Sequence, residues 1–362
     1  MAAVVPISRS ETLAAGLQSL KRDRNAAPVA MAALAVMAMI RLSVLASDTA
    51  PAQNPPHPPR FTGISFRQPP TAMVRAVALE SSSRDTCVMI LGQSGASSID
   101  SGDPHREVTV SLAACDLYNE ARDAASTKLV DGASLSARNI FLSGDYLLSP
   151  GAIMTASRSL ATHASPAADP YAGLEMPAFS GCTRKRYRLD ARKTETISPG
   201  VYCGGIEVAG GATLNLEPGT YILDQGNFAV DDGSAVNGAG VTIILTSRNG
   251  SDYGRIDIRS GSTIAISAPS VGAAAGTPGV AFWVDKHAPA AADVFDGGGT
   301  QQINGAIYLP SRQVMYSGGT PSGASCSQLV ARTVTFTGNA YFQHDCSGAG
   351  VSDPVPPRQI AE

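Results

Sequence analysis

Between residues 198 and 245 short apolar runs alternate with clusters of small, turn-forming residues. The runs occupy 201–203, 206–208, 213–216, 221–223, 228–230 and 241–245. Gly, Asn, Asp or Pro separates each run from the next, and these residues supply the backbone angles that tight turns need. The runs themselves are rich in Val, Ile, Leu and Tyr, which predicts strands. Strands this short cannot bury a core alone, so the pattern predicts strands stacked on successive copies of themselves. The style continues at 256–258, 263–266, 280–284, 306–309, 314–316, 329–331 and 334–337, and it appears earlier at 73–79, 86–91, 108–112 and 140–142.

Two-residue Asn-Gly or Asp-Gly hairpin turns are scarce between neighbouring runs, which disfavours antiparallel pairing. The expected fold is therefore all-β, a single-stranded parallel β-helix with roughly 20–30 residues per coil. About seven coils at ~4.8 Å spacing would make residues 182–346 a body about 35 Å long. A β-sandwich is the structural alternative. The main stack is expected over 182–350 and a first part over 71–160, with residues 161–181 a linker or excursion between them. One stretch, 116–128, begins with Asp and carries Glu120, Ala121, Ala124 and Ala125; it predicts a short helix.

The N-terminus has a different pattern. Lys21, Arg22 and Arg24 precede an uncharged Ala-, Met- and Val-rich run over 26–40, shorter than the ~20 residues of a spanning helix but suited to an export signal. Val44 and Ala46 offer a small-residue cleavage site. If Arg41 snorkels, residues 26–46 instead form a hydrophobic helix that anchors the chain in the inner membrane. Residues 48–70 begin with a Pro-rich linker containing Pro51, Pro55, Pro56, Pro58 and Pro59. The tail, 351–362, is polar and Pro-containing, and disorder is expected there.

Composition narrows the function classes. A 16% charged fraction, 36 Gly and 24 Pro fit a turn-rich β protein, and a net charge of −3 gives no reason to expect nucleic acid as a partner. The cysteines fall as local couples, Cys87 with Cys115, Cys182 with Cys203 and Cys326 with Cys346, separated by 28, 21 and 20 residues. None lies in a CxxC motif and no His stands at zinc-ligand spacing, so disulfides and an oxidising compartment are expected rather than a metal. Fifteen connectivities are open to six cysteines, of which nearest-neighbour pairing is the expected one; each loop is worth about 3 kcal/mol.

The run from 184 to 193 carries six basic residues, Arg184, Lys185, Arg186, Arg188, Arg192 and Lys193, against one acid, Asp190. It reads either as a solvated strand edge protected by charge or as an anion-binding patch for polysaccharide, lipid headgroups or an acidic partner. A sugar-cleaving site would need two facing carboxylates. Asp231-Asp232 is the adjacent pair but lies in a turn motif, and Asp252, Asp257, Asp285, Asp293 and Asp296 bring no accompanying His or Arg-x-Lys motif. His287 and His344 read as ordinary surface residues near turns. Asn215, Asn227, Asn237, Asn304, Asn339 and Thr213 suggest ladders or turn caps, without the regular Thr array of an ice-binding face. No catalytic residue, cofactor or metal is expected.

The phrases SPGVYCGG, EPGTYIL, NGAGVTIIL, INGAIYLPSRQVMYSGG and FTGN, in that order, resemble the C-terminal domains of TadG-like proteins, linked to Tad (tight adherence) pilus assembly. The likeness covers about 71–350 and includes VRAVALE at 74–80 and the cysteine at 203. Asp23-Arg24-Asn25 followed by Val29-Ala30-Met31 is similar to the start of the family's membrane helix, although Arg41 and the Pro-rich segment depart from its usual course. The resemblance implies an exported, non-enzymatic structural or adhesion protein, periplasmic or at the cell surface. Its partners would be pilus or envelope proteins and surface polysaccharide, with membrane contact only through the N-terminal helix. The rival classes are a polysaccharide hydrolase or lyase and a carbohydrate- or ice-binding adhesin.

Overall fold

The computed structural model describes residues 85–100, 107–298, 301–319, 326–346 and 348–354. The chain divides into Met1–Met73 and Val74–Glu362, and the described residues all belong to the second unit. The N-terminal hydrophobic helix, the Pro-rich linker and the strand expected at 73–79 lie outside them.

The first group of strands is β1 (Thr86–Ile90), β2 (Ser97–Ile99), β3 (Thr109–Asn119), β4 (Thr127–Leu129), β5 (Ser134–Leu142), β6 (Tyr146–Leu148) and β7 (Ile153–Ala161). The second begins with β8 (Arg184–Leu189), β9 (Thr194–Ile197), β10 (Gly200–Val208), β11 (Thr213–Leu216), β12 (Gly219–Asp224), β13 (Phe228–Val230) and β14 (Ala235–Ala239). It continues with β15 (Val241–Thr246), β16 (Ile256–Ile258), β17 (Thr263–Ser267), β18 (Val280–Val284), β19 (Ala292–Gly298), β20 (Gln301–Gly318) and β21 (Ser327–Tyr341). The protein is all-β over the described residues, and no helix there is long and apolar enough to cross a membrane.

The helix expected at 116–128 does not form. Residues 116–119 extend β3, and 127–129 form β4. Alanine and glutamate favour a helix locally, but Leu117, Tyr118 and Asn119 are claimed by β1 on one side and β5 on the other. Tertiary pairing overrides a propensity worth only tenths of a kcal/mol per residue.

Every pairing between named strands is parallel. One ladder runs β8, β10, β12, β15, β18, β20 and β21, then passes to β1, β3, β5 and β7. The N-terminal strands thus continue the stack from its C-terminal strand: Leu329, Val330 and Ala331 of β21 stand beside Val88, Met89 and Ile90 of β1. Two shorter ladders flank it, one along β10, β13, β16, β19 and β20, the other along β9, β11, β14, β17 and β20.

Register explains the core. Tyr221, Ile243, Phe282, Ile307, Leu329, Val88, Leu117 and Ile140 occupy one line of the main ladder. Each is at most 2% exposed, so each contributes roughly 1.5–3 kcal/mol of burial. An aromatic line, Phe228, Phe282, Phe295, Tyr316 and Phe336, packs ring on ring with centroids 5.4–6.2 Å apart. The predicted runs 201–203 and 206–208 belong to one strand, β10, kinked at Gly204-Gly205. Gly205 has φ +90°, and a Cβ there would lie 2.3 Å from the Asn227 carbonyl oxygen, so glycine is required.

The outward side chains of the same ladder are also apolar: Val201, Ile222, Ile244, Trp283, Tyr308, Val330, Met89, Tyr118 and Phe141 stand in register. The expected linker or excursion, 161–181, shares its first residue with β7, and residues 162–181 pack on this stripe through Ala167, Tyr171, Leu174, Met176 and Phe179. This strap explains why β1, β15 and β18 are buried on both faces, a pattern that parallel strands show when both faces are covered. Trp283 and Tyr308 point outward yet are only 4% and 3% exposed.

Candidate functional site

The ladder leaves two strands at its ends, and their chemistry differs. At one end β8 carries the basic run. Arg184, Lys185, Arg186, Arg188, Arg192 and Lys193 are all exposed, while Tyr187 and Leu189 point into the core. Two of the six bases are matched by acids. Arg184 Nη1 donates to Glu195 Oε1 at 2.7 Å and lies 5.0 Å from the Tyr187 ring centre, and Arg188 pairs with Asp190 and Glu207. Solvent screens exposed pairs of this kind, so they shape the local field more than the stability.

At the other end, among the described residues, β7 pairs only with β5 and β6 only with β4. Leu147, Leu148, Ile153 and Leu160 are 54%, 37%, 60% and 41% exposed there. Arg158 is the only charged side chain of β6 and β7. A long strand edge with apolar side chains and few charges is a template for another strand.

The three disulfides join Cys87 to Cys115, Cys182 to Cys203 and Cys326 to Cys346, with Cα–Cα distances of 5.6, 5.7 and 4.7 Å. Cys87 and Cys115 are fully buried and tie β1 to β3. Cys182–Cys203 ties the segment leading into β8 to β10. Three disulfides point to an oxidising, extracellular or periplasmic environment.

The junction between β21 and β1 is held by a polar network. Gln328 Nε2 donates to the carbonyls of Thr86 and Ser352 at 2.9 and 3.1 Å, and Tyr171 Oη donates to Gln328 Oε1 at 2.5 Å. His344, its side chain 4% exposed, lies between Asp85 (3.5 Å from Nδ1) and Asp353 (3.2 Å from Nε2). Burial opposes its charge, but the bond to Asp353 and the charges of Asp353 and Asp85 outweigh burial and raise its pKa above 6.5. His344, read from sequence as a surface residue, is half-buried, with its ring covered.

Asp85, His344 and Asp353 bring ligand-type atoms within 4.8 Å of one another. The carboxylates face different ring nitrogens, Arg138 holds the second oxygen of Asp85 at 2.8 Å, and the Thr86 amide donates to Asp353 at 2.9 Å. That arrangement suits an ion-paired imidazolium better than one cation held by all three. Elsewhere, Glu120 accepts from the Ala167 amide at 3.0 Å and so fastens the strap; burial raises its pKa.

Of the carboxylates weighed for sugar cleavage, Asp231, Asp252 and Asp257 line one groove, whereas Asp285, Asp293 and Asp296 do not. Asp231 and Asp257 share Arg259, at 3.1 Å each, and Asp232 is exposed in its turn. A groove lined by Glu207, Asp231, Asp252, Asp257, Arg186 and Arg259 crosses this face. Asp285 accepts from the His287 amide and ring at 2.9 Å and from Thr246 at 2.8 Å; these bonds overcome burial and lower its pKa. Asp293 is buried near Arg312 and accepts from the Ile256 amide at 2.6 Å; burial raises its pKa to about 6. Asp296 accepts from the Ser317 hydroxyl.

No protein-family model, no curated protein and no solved structure matches this chain.

Proposed function

We propose that the ladder is a single-stranded parallel β-helix and that the chain is an exported, non-enzymatic structural or adhesion protein of the cell surface, acting with Tad-type pilus assembly. The observation that carries the interaction role is the asymmetry of the ladder's ends. One end is guarded by charge, and the other offers a nine-residue strand edge with exposed Ile and Leu. Strand addition there gives a partner backbone hydrogen bonds for affinity and side-chain pockets for register. The stapled, close-packed interior favours a stiff body over a hinged one. The link to pilus assembly rests on the resemblance of residues 71–350 to TadG-like domains.

The test is capture from envelope extracts with the oxidised chain as bait. Pilus or envelope proteins should be retained by the native chain and lost with Ile153→Lys and Leu160→Lys together. Equal capture by both baits would reject the β7 edge as the contact. Turnover of an acidic polysaccharide, abolished by Asp231→Asn with Asp232→Asn, would reject the non-enzymatic reading.

A further inference from the structure

The face built from β9, β11, β14, β17 and the start of β20 has a chemistry unlike the rest of the surface. In register across it stand Thr196, Asn215, Asn237, Ala265 and Gln302, one from each strand. A second line carries Thr194, Thr213, Ala235 and Thr263. The partner side chains Leu214, Val236 and Ile264 are buried in the core, which sets the polar positions outward by strand alternation.

A groove of about 450 Å³ is cut into this face, and no ionisable side chain lines it. Its shape follows from residue size. Gly238, Ala239 and Ala265 form a low floor on β14 and β17, between Asn215 on β11 and Gln302 and Asn304 on β20. Gly238 stands in register with the core residues Leu216 and Ile266, and a Cβ there would lie 2.9 Å from Val241 Cγ2 and 3.1 Å from Leu216 Cβ, so glycine is what fits on the core side of this floor. Asn237 Nδ2 donates to Asn215 Oδ1 at 3.2 Å, which orients both amides and leaves the Asn215 amino group and the Asn237 oxygen for a ligand.

We infer that this groove binds a neutral polysaccharide. Amides and the Ser267 hydroxyl offer both donors and acceptors, as sugar hydroxyls require, and they recur at the ~4.8 Å spacing of stacked strands, so a chain of repeating units can meet them in turn. A charged glycan would find no counter-ion on this face and would bind instead at the charged groove bearing Arg186 and Arg259 or at the β8 run. The inference is independent of the proposed protein partner, because the β7 edge is a different surface.

The experiment is calorimetric titration of the full oxidised chain with neutral cello-, xylo- and malto-oligosaccharides and with acidic oligogalacturonate. At least one neutral oligosaccharide should bind, with an affinity nearly unchanged between low and high salt. Asn237→Ala with Gln302→Ala should weaken it about tenfold. Ala265→Lys, which raises a charged side chain from the floor, should abolish it without lowering the unfolding midpoint. Three results overturn the inference: no neutral oligosaccharide bound, binding indifferent to both sets of substitutions, or salt-sensitive binding of oligogalacturonate alone. Arrest of ice growth without oligosaccharide binding overturns it too. Failure of envelope-protein capture at the β7 edge leaves it untouched.

Discussion

The β8 end and the β6–β7 end of the ladder are both edges of the same parallel stack, yet they solve the edge problem in opposite ways. At β8 the outward positions are Arg and Lys, partly matched by Glu195 and Glu207, and a disulfide ties the approach to β8 down onto β10. At β7 the exposed positions include Ile153 and Leu160, with Arg158 as the lone charge, and the nearest disulfide lies inside the stack between β1 and β3. Charge on an edge strand disfavours docking of another strand; its absence leaves the edge open. The difference teaches that exposure of backbone alone does not make an interaction site, since the side chains beside it decide whether a partner is admitted. The two ends are also connected, because residues 162–181 leave β7 and return to β8 along the outer apolar stripe.

The sharpest way to break the comparison is to loosen that connection. Tyr171→Ala removes a buried ring and its hydrogen bonds to Gln328 and Ser352, and should cost about 3–5 kcal/mol. Denaturant unfolding measures it, and limited proteolysis should then cut within 162–181. A loss below about 1 kcal/mol would mean that the strap is merely laid on the stack.

Next in size is Cys182→Ser with Cys203→Ser, expected to cost about 3 kcal/mol and to raise hydrogen exchange at β8 while leaving β7 unchanged. Uniform exchange at both ends would remove the asymmetry in stapling.

A smaller thermodynamic effect, but a qualitative one, should follow from exchanging the ends' surfaces. Arg184→Leu with Arg188→Leu should make the chain associate with rising concentration in light scattering. Ile153→Lys with Leu160→Lys should keep it monodisperse, with stability changed by no more than about 0.5 kcal/mol.

The junction between the two strand groups supplies a pH test. His344 has a raised folded-state pKa, so the stability from its pairing with Asp85 and Asp353 is fully present below about 6.5. It is lost as pH rises through the folded value. His344→Gln should flatten this dependence in thermal melts, and an unchanged slope would show that the pair is not formed.

The smallest effect is expected from Glu195→Gln, which unpairs Arg184 at an exposed site: about 0.5 kcal/mol or less, read by urea unfolding at low salt.

Much of the strand content was legible because it is written locally. The runs at 213–216, 228–230, 256–258 and 280–284 coincide with β11, β13, β16 and β18, since short β-branched runs bounded by turn residues need no distant information. Longer strands were read in pieces: 306–309 and 314–316 both fall in β20, because the break at Pro310 looks like a turn and is only a shift in register. The 116–128 segment looks helical in isolation because its partners in β1 and β5 are not visible in its composition. The basic run is legible, but its neutralisation is not: Glu207 meets it through the β8–β10 pairing, and Glu195 lies on β9, which pairs with β11. The uncharged groove left a faint trace in Asn215, Asn237 and Asn304, whose alignment depends on register.

Many short strands with small-residue turns, and cysteines in close pairs, can be read from the chain because both are properties of neighbouring residues. Long-range pairing alone settles that β1 stacks on β21, that the strap seals the outer stripe, and that the basic strand and the bare one stand at opposite ends. Those outcomes depend on which strands share backbone hydrogen bonds across more than two hundred residues, and local pattern carries no record of which partner a strand will choose.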